Sequence, residues 1–203
     1  MTRKAFPAES GASGDCPGVS RGGSPGFAPA NGVAAVAARV SRFGFVEVAL
    51  SGRCMEPLLI AGDRARIVAC RDFGVGDLCL VALSGGGLAL HRVVAAVGGA
   101  VVCKGDFSGR AEEVPRGSVL GRAVAFRLAG SALWREWAQD GSYAREAVAL
   151  SLALCDRSLA HADRGAARRR IWEMNTAARL RMANSCGHVS AGSAHGWAKK
   201  EDL

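Results

Sequence analysis

The sequence predicts a mainly β protein: a compact β domain over residues 43–128, followed by a C-terminal α-helical extension over 129–184. Three observations carry this. From Phe43 to Leu128, short apolar and β-branched runs are punctuated by Gly and Asp, the pattern of brief strands joined by tight turns. From 130 to 184 the composition changes to Ala, Leu, Arg and Glu without a single Pro, which suits helices. Of 203 residues 49% are hydrophobic, enough to bury a sizeable core.

Residues 1–42 are rich in Gly, Ser, Pro and Ala, and 1–32 lack any periodicity, so a flexible N-terminal segment is expected with one short helix over 33–41. This stretch is too small and too rich in glycine for a helix-turn-helix. Strands are expected at 45–50, 64–70, 78–83, 88–97, 100–104 and 119–128. The runs Ser84-Gly85-Gly86-Gly87 and Gly98-Gly99 would close hairpins, because glycine tolerates the positive φ of tight turns. In the extension, Ser131 is placed to cap a first helix carrying Leu133, Trp134 and Trp137. Gly141-Ser142 would end it before a second helix at 143–161, and Gly165 would separate a third at 168–183. Ile171, Trp172, Met174, Ala178 and Met182 supply that third helix with an apolar stripe. Residues 185–203 return to Gly, Ser and His and are expected to fray. There is no internal repeat.

The net charge of +8 invites a nucleic-acid reading, but its distribution argues against one. Residues 1–43 hold five Lys/Arg against two acids, 44–127 ten against eight, and 128–203 eleven against eight. The one concentration, Arg164 to Arg181, fits a solvated helix face. Seven cysteines show no CxxC or Cys/His zinc spacing, and an odd number cannot all pair within one chain. Most read as small buried hydrophobes in a reducing, cytoplasmic setting, with no metal and no cofactor implied. The N-terminus lacks the unbroken apolar run of a secretory signal, and the run 147–155 is too short to span a bilayer.

The chemistry lies in five ordered boxes: Gly52-Arg53-Cys54-Met55-Glu56-Pro57 with Gly62-Asp63, then Gly76-Asp77, His91-Arg92, Lys104-Gly105-Asp106 and Gly121-Arg122-Ala123-Val124. Peptide hydrolysis without a metal needs a nucleophile, a base and donors for the oxyanion. Cys54, following a strand end and Gly52, can project from a turn. Pro57 restricts the residue before it, and Met55 can pack beneath. The Cys54 backbone N–H, with the Ser51-Gly52 turn, is the natural oxyanion donor.

These boxes, over about 80 residues, resemble those of the LexA and signal-peptidase superfamily of peptidases, with cysteine where that family has its catalytic serine. The glycine two residues before the nucleophile is closer to the LexA and phage-repressor branch. His91-Arg92 and Lys104-Gly105-Asp106 resemble instead the boxes of the endoplasmic-reticulum-type signal peptidases. The resemblance implies Cys54 as nucleophile, His91 as base and Asp106 as support for the imidazole, with Gly52, Arg53 and Met55 at the oxyanion and substrate side. Glu112 and Glu113 are weaker candidates for the supporting role, and Lys104 is a second candidate base. The family's membrane-bound members carry a spanning anchor, and none is seen here.

A thiol suits the role chemically, since its pKa near 8.5 is lowered by a neighbouring imidazolium. A longer bond to sulfur, however, can misplace a carbonyl in a pocket shaped for serine. Three functions stay open on the sequence: a peptidase making a limited cut in a peptide or precursor, a catalytically silent peptide-binding module, and a self-cleaving repressor-like regulator. The missing helix-turn-helix weighs against the last.

Overall fold

In the computed structural model, residues 29–138 and 140–185 are described. Of the flexible segment expected over 1–42, residues 29–42 form a helix instead, and residues 1–28 lie outside the described residues, as do 186–203 of the tail expected over 185–203. The described chain runs α1 (Pro29–Phe43), β1 (Phe45–Ala49), β2 (Arg64–Val68), β3 (Leu78–Ala82), β4 (Leu88–Val97), β5 (Ala100–Lys104), β6 (Ala111–Pro115) and a 3-10 turn at Arg116–Ser118. It continues with β7 (Val119–Arg127), β8 (Arg135–Glu136), α2 (Gly141–Cys155) and α3 (His161–Asn184). The expected mainly β domain with a helical C-terminal part is the architecture found.

The strands form one antiparallel sheet in the order β1-β2-β7-β3-β4-β5-β6, with β8 added beside β7. Long β7 enters between β2 and β3 and so joins the two ends of the domain. Gly121 permits this crossing, because a Cβ there would collide with the Val68 carbonyl. Register shifts at Arg66/Ile67, Leu80/Val81 and Val93/Ala95 bend the strands and increase the sheet's twist. Two cores result. Val46, Leu58, Leu59, Ile67, Leu78, Leu80, Leu90 and Phe126 face α1 and α3, meeting Val40, Ala178 and Met182. Phe73, Cys79, Val81, Val93, Val101 and Cys103 form the second.

The extension differs from expectation in three places. Ser131 caps no helix: the chain there is extended, β8 pairs with β7, and Trp137 packs edge-on against Phe126 at 5.5 Å and Tyr143 at 5.9 Å. Burying two aromatic contacts outweighs the helical propensity of this short segment. Gly141-Ser142 starts α2 rather than ending a helix, because Asp140 caps it by accepting from the Ser142 N–H at 2.9 Å. Gly165 lies inside α3, and the break falls instead after Cys155, where Asp156 accepts from Ser158. Strand β6, rich in Glu and ending in Pro, was not expected; it is an edge strand, where charge and proline are tolerated.

Candidate active site

β1 delivers the chain to a loop whose ends meet. The Leu50 N–H donates to Asp63 O and the Gly62 N–H to Leu50 O, both at 2.9 Å. Inside it, bonds from Glu56 N–H to Arg53 O and from Leu59 N–H to Met55 O, each 3.1 Å, wind consecutive turns. Met55, Leu58 and Leu59 sink into the core beneath, so the Met55 side chain anchors the turn. Arg53 stays outside and pairs with Glu56 at 3.1 Å. Half-buried Cys54 packs on the edge of the main core. A Cβ on Gly52 would stand 3.8 Å from the Cys54 Sγ, so Gly52 flanks the sulfur with ordinary room to spare.

The two Gly-Asp pairs are one device used twice. Gly62 and Gly76 have φ of +92° and +103°, where a side chain would be strained. The following aspartate then closes the turn: Asp63 Oδ2 accepts from the Ile60 N–H and Asp77 Oδ2 from the Gly74 N–H, both at 2.9 Å. Asp63 Oδ1 also accepts from the Ala129 N–H at 2.7 Å, fastening the Cys54 loop to the chain leaving β7.

The Lys104-Gly105-Asp106 box is pressed against Cys54. A Cβ on Gly105 would lie 2.6 Å from the Cys54 Cβ and 2.7 Å from its carbonyl oxygen. The Phe107 N–H donates to Cys54 O at 2.9 Å, and the Asp106 N–H reaches the Met55 Sδ at 3.4 Å. Arg92 on β4 pairs in register with Lys104 on β5. His91 precedes Arg92 on β4, and Gly105 follows Lys104 where β5 ends. The sheet thus brings the cysteine, histidine and aspartate boxes to one place.

Their side chains are not wired as a triad. Asp106 is fully buried, and its carboxylate accepts from Arg92 Nε and Nη2, each at 2.7 Å, and from Asn175 Nδ2 at 2.9 Å. None of these bonds to Asp106 comes from His91, whose Nδ1 is buried without a hydrogen-bond partner. The expectation that Asp106 orients the imidazole is corrected on this point. A planar guanidinium fork satisfies both carboxylate oxygens at once, which a single ring N–H cannot do. Glu112 and Glu113 do not replace it, since they sit on edge strand β6 opposite Cys103 and Val102.

The other partners of this cluster come from the helices. Arg92 also donates to Gly76 O at 2.9 Å and lies 5.4 Å from the Tyr143 ring, while the Tyr143 hydroxyl donates to Asn175 Oδ1 at 2.6 Å. Lys104 is fully buried, its Nζ donating to Gly105 O and Ser151 Oγ, both at 2.9 Å. Burial lowers its basicity, and the Nζ bond to Ser151 ties β5 to α2. Sequence reasoning missed Tyr143, Ser151, Asn175 and Arg179. A signal existed for Asn175: a carboxamide four residues after Ile171 and three before Ala178 interrupts the apolar stripe of α3.

His91 is 7% exposed, and burial, reinforced by the Lys104 charge and opposed by Asp106, lowers its pKa from 6.5 to about 4. The imidazole is therefore neutral at pH 7. Burial raises the Cys79 thiol far above its usual range and pushes Cys103, beside Glu112, up to about 11. Both are inert core groups. Among the described residues no cluster of three or more His, Cys, Asp or Glu could hold a metal, and no helix is long and apolar enough to cross a membrane.

Compared with known proteins, the chain matches no family model, and neither the curated proteins nor the solved structures give a match.

Proposed function

We propose that this chain is a cytoplasmic peptidase of the LexA and signal-peptidase type that makes a limited cut in a peptide or precursor protein, with Cys54 as nucleophile and His91 as base. The observation that carries this reading is the packing of Gly105 against Cys54, because the residue before Gly105, Lys104, pairs with Arg92, the neighbour of His91 in β4. In the reaction the Cys54 sulfur bonds to the scissile carbonyl carbon as its proton passes to His91. The C–N bond then breaks as His91 returns that proton to the leaving amine. Water, deprotonated by His91, hydrolyses the thioester and restores the thiol. A neutral imidazole is ready to accept a proton, so this is general-base chemistry rather than a resting thiolate–imidazolium pair. Asp106 supports the base by its charge, which opposes that of Lys104. Substrate is read as an extended segment laid beside the sheet.

The Arg92–Asp106 pairing, which leaves His91 Nδ1 without a partner, favours a second reading: a peptide-binding module on the same scaffold that does not turn over. Incubating the purified protein with candidate precursor peptides, beside Cys54→Ala and Cys54→Ser, separates the two. Cleavage lost in Cys54→Ala supports the peptidase. Binding without cleavage, unchanged by His91→Ala, supports the module.

A further inference from the structure

α3 touches both halves of the candidate site from one face. Asn175 and Arg179 are four residues apart, one turn on the same side of the helix. Asn175 donates to Asp106 Oδ2 at 2.9 Å and is itself held by the Tyr143 hydroxyl at 2.6 Å. Arg179 forks onto the nucleophile loop, donating to Asp63 Oδ2 at 2.5 Å, to Asp63 Oδ1 at 3.1 Å and to Leu58 O at 3.0 Å. Asn175, Asp63 and Asp106 are fully buried, so these are bonds in a low dielectric, where loss of one partner leaves the other unsatisfied. Arg92 links Asp106 onward to Gly76 O, and Lys104 binds α2 through Ser151. Asp63 of the first box, and Lys104 and Asp106 of the fourth, are thereby held from the helical layer.

We infer that the helical extension is a built part of the site, with Asn175 and Arg179 acting as positioning residues that hold the Lys104-Gly105-Asp106 box and the Cys54 loop against one another. The contact they maintain is the one between Gly105, Phe107 and the Cys54 backbone. Neither residue touches substrate. Both act through aspartates, and α3 serves as a bracket whose two arms are one helical turn apart. The inference rests on Cys54 being the reactive group of the proposed peptidase, but its test needs no substrate.

Asn175→Ala, Asn175→Asp and Arg179→Gln are compared with Leu154→Ala, which loosens α2–α3 packing without touching the hydrogen-bond network. Two properties are read well below each variant's unfolding temperature: amide exchange at Phe107 and the rate of iodoacetamide alkylation of Cys54 against pH, followed by peptide mass spectrometry. In Asn175→Ala and Arg179→Gln, Phe107 exchange rises about tenfold, and the Cys54 alkylation profile moves by about half a pH unit. Asn175→Asp, which sets a second carboxylate against Asp106, moves the profile at least as far. Leu154→Ala loses stability but leaves both properties at wild-type values. The inference is overturned if the profiles of the Asn175 and Arg179 variants superimpose on wild type, or if Leu154→Ala moves them equally. Arg179 is partly exposed, so Arg179→Gln keeps the test alive should the Asn175 variants fail to fold. Movement of the profile in a protein that cleaves nothing would sink the peptidase reading and leave the bracket standing; cleavage with an unmoved profile would do the reverse.

Discussion

Gly105 and Cys54 meet backbone to backbone, so closely that a Cβ on Gly105 would lie 2.6 Å from the Cys54 Cβ. The contact joins two boxes fifty residues apart in the chain, and it exists because residue 105 has no side chain. Gly105→Ala must therefore displace either the box or the nucleophile turn. A cost of about 1–3 kcal/mol in stability is expected from overpacking, together with a loss of about 100-fold or more in Cys54-dependent turnover from misplacement near 1 Å. Thermal unfolding and a cleavage time course check the two effects separately.

Arg92 and Asp106 form a buried pair at 2.7 Å with both side chains excluded from solvent. Burial opposes the arginine charge, but the adjacent carboxylate and its hydrogen bonds more than compensate, so the guanidinium stays protonated. Arg92→Leu strands the carboxylate and is expected to cost about 3–5 kcal/mol. The double variant with Asp106→Leu should recover much of that loss, since replacing both charges by apolar groups removes the unpaired ion. Urea unfolding of the single and double variants measures this, and no recovery would mean that the pair contributes more than mutual neutralisation.

The titration of His91 sets a pH dependence of stability. Its pKa is about 4 folded and 6.5 unfolded, so within that window the unfolded chain binds the additional proton and stability falls as pH is lowered. Acidification from 6.5 to 4 should cost on the order of 3 kcal/mol from this residue. His91→Gln should flatten that part of the curve, as denaturant midpoints at a series of pH values would reveal. By the same shift, the base of the proposed mechanism would stay unprotonated well below pH 6.5.

Thiol labelling should discriminate among the cysteines. Cys79 and Cys103, buried and with raised thiol pKa values, should resist alkylation in the folded protein. Half-buried Cys54 should react. Mass spectrometry of labelled peptides checks the order, and fast labelling of Cys103 would contradict the packing described for the second core.

Strands β1 to β5 and β7 could be read from the sequence because each is a short apolar or β-branched run bounded by turn residues, and glycine precedes aspartate at the positive-φ turns. The proximity of Cys54 to Gly105 was legible only through the resemblance, since it depends on contact between segments distant in the chain. The partner of Asp106 could not be read at all. An arginine adjacent to the candidate base competes for the carboxylate, and the choice is made by the faces of β4, which no spacing in the sequence reports. The helical part misled for a related reason: Trp137 and Tyr143 are governed by the aromatic stack they form with Phe126, not by the propensity of residues 131–137.

The most direct measurement is the rate at which a thiol-reactive probe labels Cys54 at pH 7 in the wild type and in His91→Ala, with both proteins verified as folded. If His91 is the base that serves Cys54, the wild type should label about tenfold faster or more. Equal rates would mean that the imidazole does not act on the sulfur, and would contradict the account at its centre.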